Sequence, residues 1–176
     1  WIKNMSSNNF QIREKSPSES QAEVIVRMFP SDANPAGNVF GGEILKHIDM
    51  VAWIVAQRHC QSNAVTVSMD SVSFLKPVFV GNVLKLNARI NYVHNSSMEI
   101  EINTEAEDIV TGIRTLTGTA FVTFVALDKN GKPTHAPKLA LKTDEDRTKF
   151  EEGKLRMEKR LQKRQKWTSP SFYRSI

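Results

Sequence analysis

The 176-residue sequence contains one cysteine, Cys60, so no intrachain disulfide can form. With neither a CxxC pair nor a Cys/His cluster, no metal site is expected either. A single free thiol fits a reducing, cytoplasmic compartment. No window approaches the run of about 18 apolar residues that a membrane helix needs. The opening residues WIKNMSSNNF also lack the apolar core of a secretion signal, so no membrane partner is expected. Internal repeats and low-complexity tracts are missing as well. The first residue is Trp1; Met5 is the expected natural start, and residues 1 to 4 carry no weight in the fold argument.

A hydrophobic content of 40% over this length supports one real core with appendages. The formal net charge of +5 is local, because much of the basic excess lies in Lys154, Arg156, Lys159, Arg160, Lys163, Arg164 and Lys166. Such a run can serve nucleic acid, an anionic surface or a polyphosphate, but it also describes a solvated helix face. No nucleic-acid motif and no aromatic–basic interleaving on the strands accompany it, so the solvated face is preferred and no nucleic-acid partner is expected.

Residues 1 to 21, rich in Ser, Asn and Gln, read as a flexible lead-in. Ala22 to Phe29 alternates apolar and polar side chains and stops at Pro30, as a strand does. The loop SDANPAGNVFGG follows, dense in turn residues. From Glu43 to about Gln57, Ile44, Leu45, Ile48, Val51, Ala52, Val55 and Ala56 form a helical stripe, and Met50, Trp53 and Ile54 make the other side apolar too. Such a helix must be wrapped. Strand patterns at about Val65 to Leu75, Val83 to His94, Met98 to Val110 and Leu116 to Asp128 supply the wrapping, and the turn signals between them predict a meander. The order predicts an α+β hot-dog fold, a five-stranded antiparallel sheet curled around one central helix, over residues 22–140. Residues 141–176 form a basic helical C-terminal extension; its last segment carries Trp167, Phe172 and Tyr173, an aromatic cluster expected to dock on this or a neighbouring subunit.

Two features of the helix bear on chemistry. Asp49 lies among apolar neighbours, and burying a carboxylate costs several kcal/mol unless something partners it. It serves either chemistry or a subunit interface. Gly41 and Gly42 open the helix, where bare backbone N–H groups can polarise a carbonyl or hold an oxyanion; an ordinary glycine-rich helix entry is the alternative. Gly42 and Asp49 share one stripe but lie about 10 Å apart along the axis. A single carbonyl reaches both only if Asp49 comes from a second, antiparallel subunit, which makes a twofold dimer obligatory for a site built this way.

The segment Asn34 to Asp49, NPAGNVFGGEILKHID, resembles the signature of the cytosolic or brain acyl-CoA hydrolases and their bacterial relatives. Further matches are Ala56 to His59, Asp70 to Pro77 (DSVSFLKP), Val80-Gly81-Asn82, Asn95 to Glu99 and Phe124 to Asp128, spanning about Ala22 to Pro137. The resemblance implies an acyl-CoA thioesterase that releases free fatty acid and coenzyme A. Asp49 would then be base or nucleophile, Asn34 of the partner subunit would position water or thioester, and the N–H of Gly42, with that of Gly41 beside it, would hold the carbonyl oxygen. Some relatives carry histidine where this chain has Phe40, so His47 and His59 are read as packing or surface residues. Arg58, Asn95, Ser96 and Ser97 are the implied contacts to coenzyme A, although Arg58 could equally be a helix-end cation. The resemblance also implies a trimer of dimers, with no cofactor beyond the coenzyme A moiety of the substrate. Acyl-chain preference depends on packing among residues such as Trp53, Phe74 and Phe79. The competing readings are an acyl-CoA sensor that binds without hydrolysis and a dehydratase or hydratase, which would need a histidine beside an acid; no such pairing is visible.

Overall fold

The computed structural model describes residues 14–168. Its elements are strand β1 (Ala22–Arg27), helix α1 (Gly41–Cys60), strands β2 (Asn63–Phe74), β3 (Val83–His94), β4 (Ser97–Glu107) and β5 (Arg114–Leu127), and helix α2 (Asp144–Thr168). The strands form one antiparallel sheet in the order β1-β3-β4-β5-β2. On one face of it lies α1, whose Ile44, Ile48, Val51, Ala52, Val55 and Ala56 are buried against Leu84, Leu86, Ile90, Ile100, Ile102, Val122 and Phe124. Each fully buried Leu or Ile contributes about 2 kcal/mol, so this stripe holds the helix in the curl of the sheet. The expected hot-dog architecture is present.

Helix α1 begins at Gly41, two residues before the expected start at Glu43, because the Phe40 carbonyl accepts the N–H groups of Glu43 and Ile44. It ends where Gln61 turns left-handed (φ 52°) and donates its N–H to Gln57. Lys15 Nζ donates to the carbonyls of Arg58 and His59, placing a cation where the helix dipole favours one.

The predicted meander holds for β3, β4 and β5 but not for β2. Strand β2 pairs with β5 at the far edge of the sheet instead of with β3. The segment between β2 and β3 passes the N-terminal end of α1 on its way: Val39 N–H donates to Val78, and Gly81 N–H donates to Met28. Pro77 removes a ladder donor, and Gly81 turns with a positive φ of 90°, so the stretch cannot close a tight hairpin.

The opposite face of the sheet is polar, and α2 covers part of it. Arg89 pairs with Glu145 and Asp146, Lys149 with Glu101, Arg156 with Glu99, and Arg160 with Asp70. Glu99 and Glu101 are buried beneath the helix. Burial opposes the charge of Glu99 and pushes its carboxyl above the usual range, against the hydrogen bonds from Arg156. For Glu101 burial is again opposed, here by hydrogen bonds from Asn91 and Lys149, which hold its carboxyl below that range. The basic run therefore does not form only a solvated face, since Arg156 and Arg160 bind carboxylates of the sheet while Lys154 and Lys159 face solvent.

The lead-in is packed from Lys15 onward. Lys15 bridges to Leu139, and Ser16, Pro17 and Ser20 are buried around a short 3-10 turn at Pro17–Glu19. Its small polar residues tuck against the end of α1, where composition alone reads mobility. Residues 1–13, Phe172, Tyr173 and the Trp167 side chain of the aromatic cluster lie outside the described residues.

Candidate active site

Asp49 sits midway along α1, half-buried, on the turn that also presents Met50 and Trp53. Both of these apolar side chains are exposed, at 53% and 45%. The carboxylate is held from the neighbouring strand, where Thr66 Oγ1 on β2 donates to Asp49 Oδ1 at 2.7 Å. One lone pair of the carboxylate is thereby fixed, and the rest of the group is left to act as base or nucleophile. Thr66 did not stand out in the sequence, because a threonine in an alternating strand is ordinary. The signal lies in three dimensions, in the packing of β2 on α1.

Gly41 and Gly42 form the first turn of α1. Their N–H groups precede the carbonyls that the helix could offer them, so they face outward as donors. Asn34 lies in the preceding loop, where its Oδ1 accepts the N–H groups of Ala36 at 2.9 Å and Asn38 at 3.3 Å. That Asx turn fixes the carbonyl end of the amide and leaves the amide NH2 as its donor end. The loop is pinned in turn by Phe40 N–H, which donates to Asp32 at 2.7 Å. Two ends of one helix face thus carry different chemistry, donors at Gly41–Gly42 and a carboxylate at Asp49, about 10 Å further along.

The remaining candidates are dispersed. The exposed Arg58 lies in the last turn of α1, donates to the Gln21 carbonyl at 2.7 Å and lines a cleft of 480 Å³ with Glu23, Asn87 and Arg89. Asn95, left-handed at φ 53°, makes the β3–β4 turn with Ser96 and lines a different cleft of 590 Å³ with His94, His135 and Lys138. Ser97 begins β4. His59 is fully buried; its Nε2 donates to the Pro137 carbonyl at 2.8 Å, which leaves Nδ1 to accept from Ser20 Oγ at 3.0 Å. Burial holds its pKa below the usual histidine value, so it is a neutral packing residue. His47 is half-buried, and its pKa is lowered by burial and by Lys46.

The family model of the thioesterase superfamily matches residues 36–113, from the Asn34 loop through β4. The Bacillus subtilis protein YkhA, named an uncharacterized acyl-CoA thioester hydrolase, is 43% identical over 128 residues, covering 73% of this chain and 74% of its own length. The chain belongs to the acyl-CoA thioester hydrolase family. The rat cytosolic acyl coenzyme A thioester hydrolase is 39% identical over 87% of the chain, which spans 41% of that longer protein. Among solved structures, the Staphylococcus aureus acyl-CoA hydrolase in complex with butyryl coenzyme A and coenzyme A superposes with a TM-score of 0.84 at 34% identity, covering 93% of this chain and 99% of its own. A hexameric acyl-CoA thioesterase superposes at 0.82 with 33% identity, covering 86% of this chain and 97% of its own. Alanine variants of the staphylococcal hydrolase were also solved at an aspartate, at an asparagine fifteen positions before it and at a threonine seventeen positions after it. Asp49, Asn34 and Thr66 keep those two separations.

Proposed function

We propose that the chain hydrolyses acyl-CoA thioesters to a free fatty acid and coenzyme A, at a site shared between two subunits. The observation that carries this reading is the trio of Asn34, Asp49 and Thr66, whose spacing matches the positions altered in the staphylococcal hydrolase and whose last two members are hydrogen-bonded here. In the proposed reaction the N–H groups of Gly42 and Gly41 hold the thioester carbonyl oxygen. Asp49 takes a proton from water as the water oxygen bonds to the carbonyl carbon, and Asn34 orients the attacking water. The tetrahedral oxyanion collapses, the carbon–sulfur bond breaks, and the proton passes to the departing thiolate. Direct attack by Asp49, with hydrolysis of the resulting anhydride, uses the same groups and the same balance.

The 10 Å between Gly42 and Asp49 makes a homodimer part of this proposal, because one chain cannot bring both to one carbonyl. The exposed apolar surface supports it. Among the described residues strand β2 has one edge unpaired, and Val65, Val67 and Met69 on it are exposed together with Met50 and Trp53 of α1. A free apolar edge is a pairing surface. Assembly of three such dimers is in keeping with the hexameric relative, and a cytoplasmic location with the relative named cytosolic. For coenzyme A the proposal favours the β3–β4 turn, Asn95 to Ser97, over Arg58, whose guanidinium already serves the Gln21 carbonyl.

The test is a panel of acyl-CoA substrates of increasing chain length, assayed for free thiol. The expected result is catalytic thiol release. Tight acyl-CoA binding with no release from any substrate would replace the hydrolase by a sensor.

A further inference from the structure

Two glycines open α1, and a phenyl ring stands over each. A Cβ on Gly41 would lie 3.6 and 3.8 Å from carbons of the Phe74 ring, while one on Gly42 would lie 3.1 and 3.3 Å from the Phe40 ring. The first is ordinary contact; the second is tight enough that the ring would have to move. Successive residues of a helix point about 100° apart around its axis, so the two rings flank the entrance to the free N–H groups from different sides. Both rings are held at the root by backbone hydrogen bonds. The Phe40 backbone is fixed by Asp32, Glu43 and Ile44, and Phe74 ends β2 just before Leu75 N–H donates to Thr117. Yet Phe40 is 57% exposed and Phe74 is 52% exposed, so neither is spent on this chain's own core.

We infer that Phe40 and Phe74 form an aromatic collar that selects acyl groups by the carbon next to the thioester carbonyl, admitting a straight chain and rejecting a branch there. The inference rests on the hydrolase reading, which places the carbonyl oxygen at Gly41 and Gly42. With the oxygen there, the carbonyl carbon and its neighbour must pass the two rings. A methylene makes dispersion contacts with the ring faces. A methyl branch needs room that exists only if one ring leaves its staggered rotamer, at a cost that falls on the reacting geometry and not on distant coenzyme A contacts.

The experiment compares kcat/KM for butyryl-CoA and isobutyryl-CoA, which have the same number of carbons, in the full-length wild type and in Phe74→Ala, Phe40→Ala and the more conservative Phe74→Leu. The wild type should prefer the straight chain by roughly tenfold or more, the scale on which one misplaced methyl is discriminated in an apolar site. Phe74→Ala should bring the ratio close to unity through faster isobutyryl-CoA turnover, and Phe74→Leu should fall between. Equal use of the two substrates by the wild type overturns the collar and leaves the hydrolase reading standing. An unchanged ratio in folded Phe74 and Phe40 variants does the same. No thiol release from either substrate overturns both. If the alanine variants fail to fold, the wild-type ratio and that of Phe74→Leu decide the question.

Discussion

Removing the hydroxyl that holds Asp49 is the sharpest local perturbation of the proposed chemistry. Thr66→Val keeps the shape and the strand preference of the side chain and deletes only the donor to Asp49 Oδ1, at 2.7 Å. A hydrogen bond to a charged acceptor is worth about 1.5–3 kcal/mol net. Thr66 is exposed in the protomer, which puts the loss at the lower end, about 1.5 kcal/mol or roughly tenfold in rate. The loss should appear in kcat, with KM nearly unchanged, because the hydroxyl orients the carboxylate and does not touch the coenzyme A arm. Thr66→Ser, which restores the donor, should recover activity to within about threefold of wild type. Steady-state thiol release with butyryl-CoA, alongside a thermal melt of each variant, measures all of this. A Thr66→Val protein that melts like wild type and keeps kcat within about twofold would refute the argument that this bond positions the carboxylate.

Other expectations concern the packing of α2 and the buried histidine. Gly153→Ala raises helix propensity by about 1 kcal/mol, yet its Cβ would meet Tyr92 Cβ at 2.8 Å and Glu99 Oε1 at 3.0 Å. Overpacking of about 1–3 kcal/mol should win, so the melting temperature should fall by a few degrees; a rise would show that α2 yields easily. Arg156→Met leaves Glu99, whose side chain is 1% exposed, without its cation. A destabilisation on the order of 2 kcal/mol at neutral pH is expected, below the full cost of a broken buried pair because Arg156 is itself partly exposed. Since burial raises the Glu99 carboxyl above its usual 4.5, its unfavourable ionisation is relieved as pH falls through that raised value, and the gap between variant and wild type should narrow between neutrality and pH 4.5; a gap that widens there contradicts it. His59 is lowered from 6.5 by burial, so its contribution is complete above that pH and is lost as pH falls through the lower folded value. Melting temperature should therefore drop on acidification below about pH 6.5, with a shallower drop in His59→Gln; identical slopes would exclude His59 as the source.

The fold was legible where hydrophobic period carried it. The stripe from Ile44 to Ala56 located α1, and alternation located β3 at its observed bounds, Val83–His94. Strand order was not legible, because alternation marks which face of β2 is apolar and not which neighbour it pairs with. The docking of α2 escaped for a related reason. Glu99 and Glu101 are charged positions on β4, and the helix that covers them is itself charged, so neither partner shows an apolar signal. Of the site, Asp49 and the Gly41–Gly42 pair announced themselves as a carboxylate among apolar residues and a doubled glycine at a helix start. Thr66 depended on a contact seventeen residues away and could only be seen once β2 lay against α1. The lead-in misled because Ser16 and Ser20 are small and polar, yet buried.

The central claim is that Asp49 of one site comes from a different chain than the Asn34 and the helix N-terminus it works with, and subunit complementation tests it most directly. Asn34→Ala and Asp49→Ala proteins, each inactive alone, are co-expressed with different affinity tags so that heterodimers can be isolated. Each heterodimer holds one site with both residues intact and one with neither, so purified heterodimers should regain up to about half of wild-type thiol release. Confirmed heterodimers that remain as inactive as the parent variants would contradict the shared site.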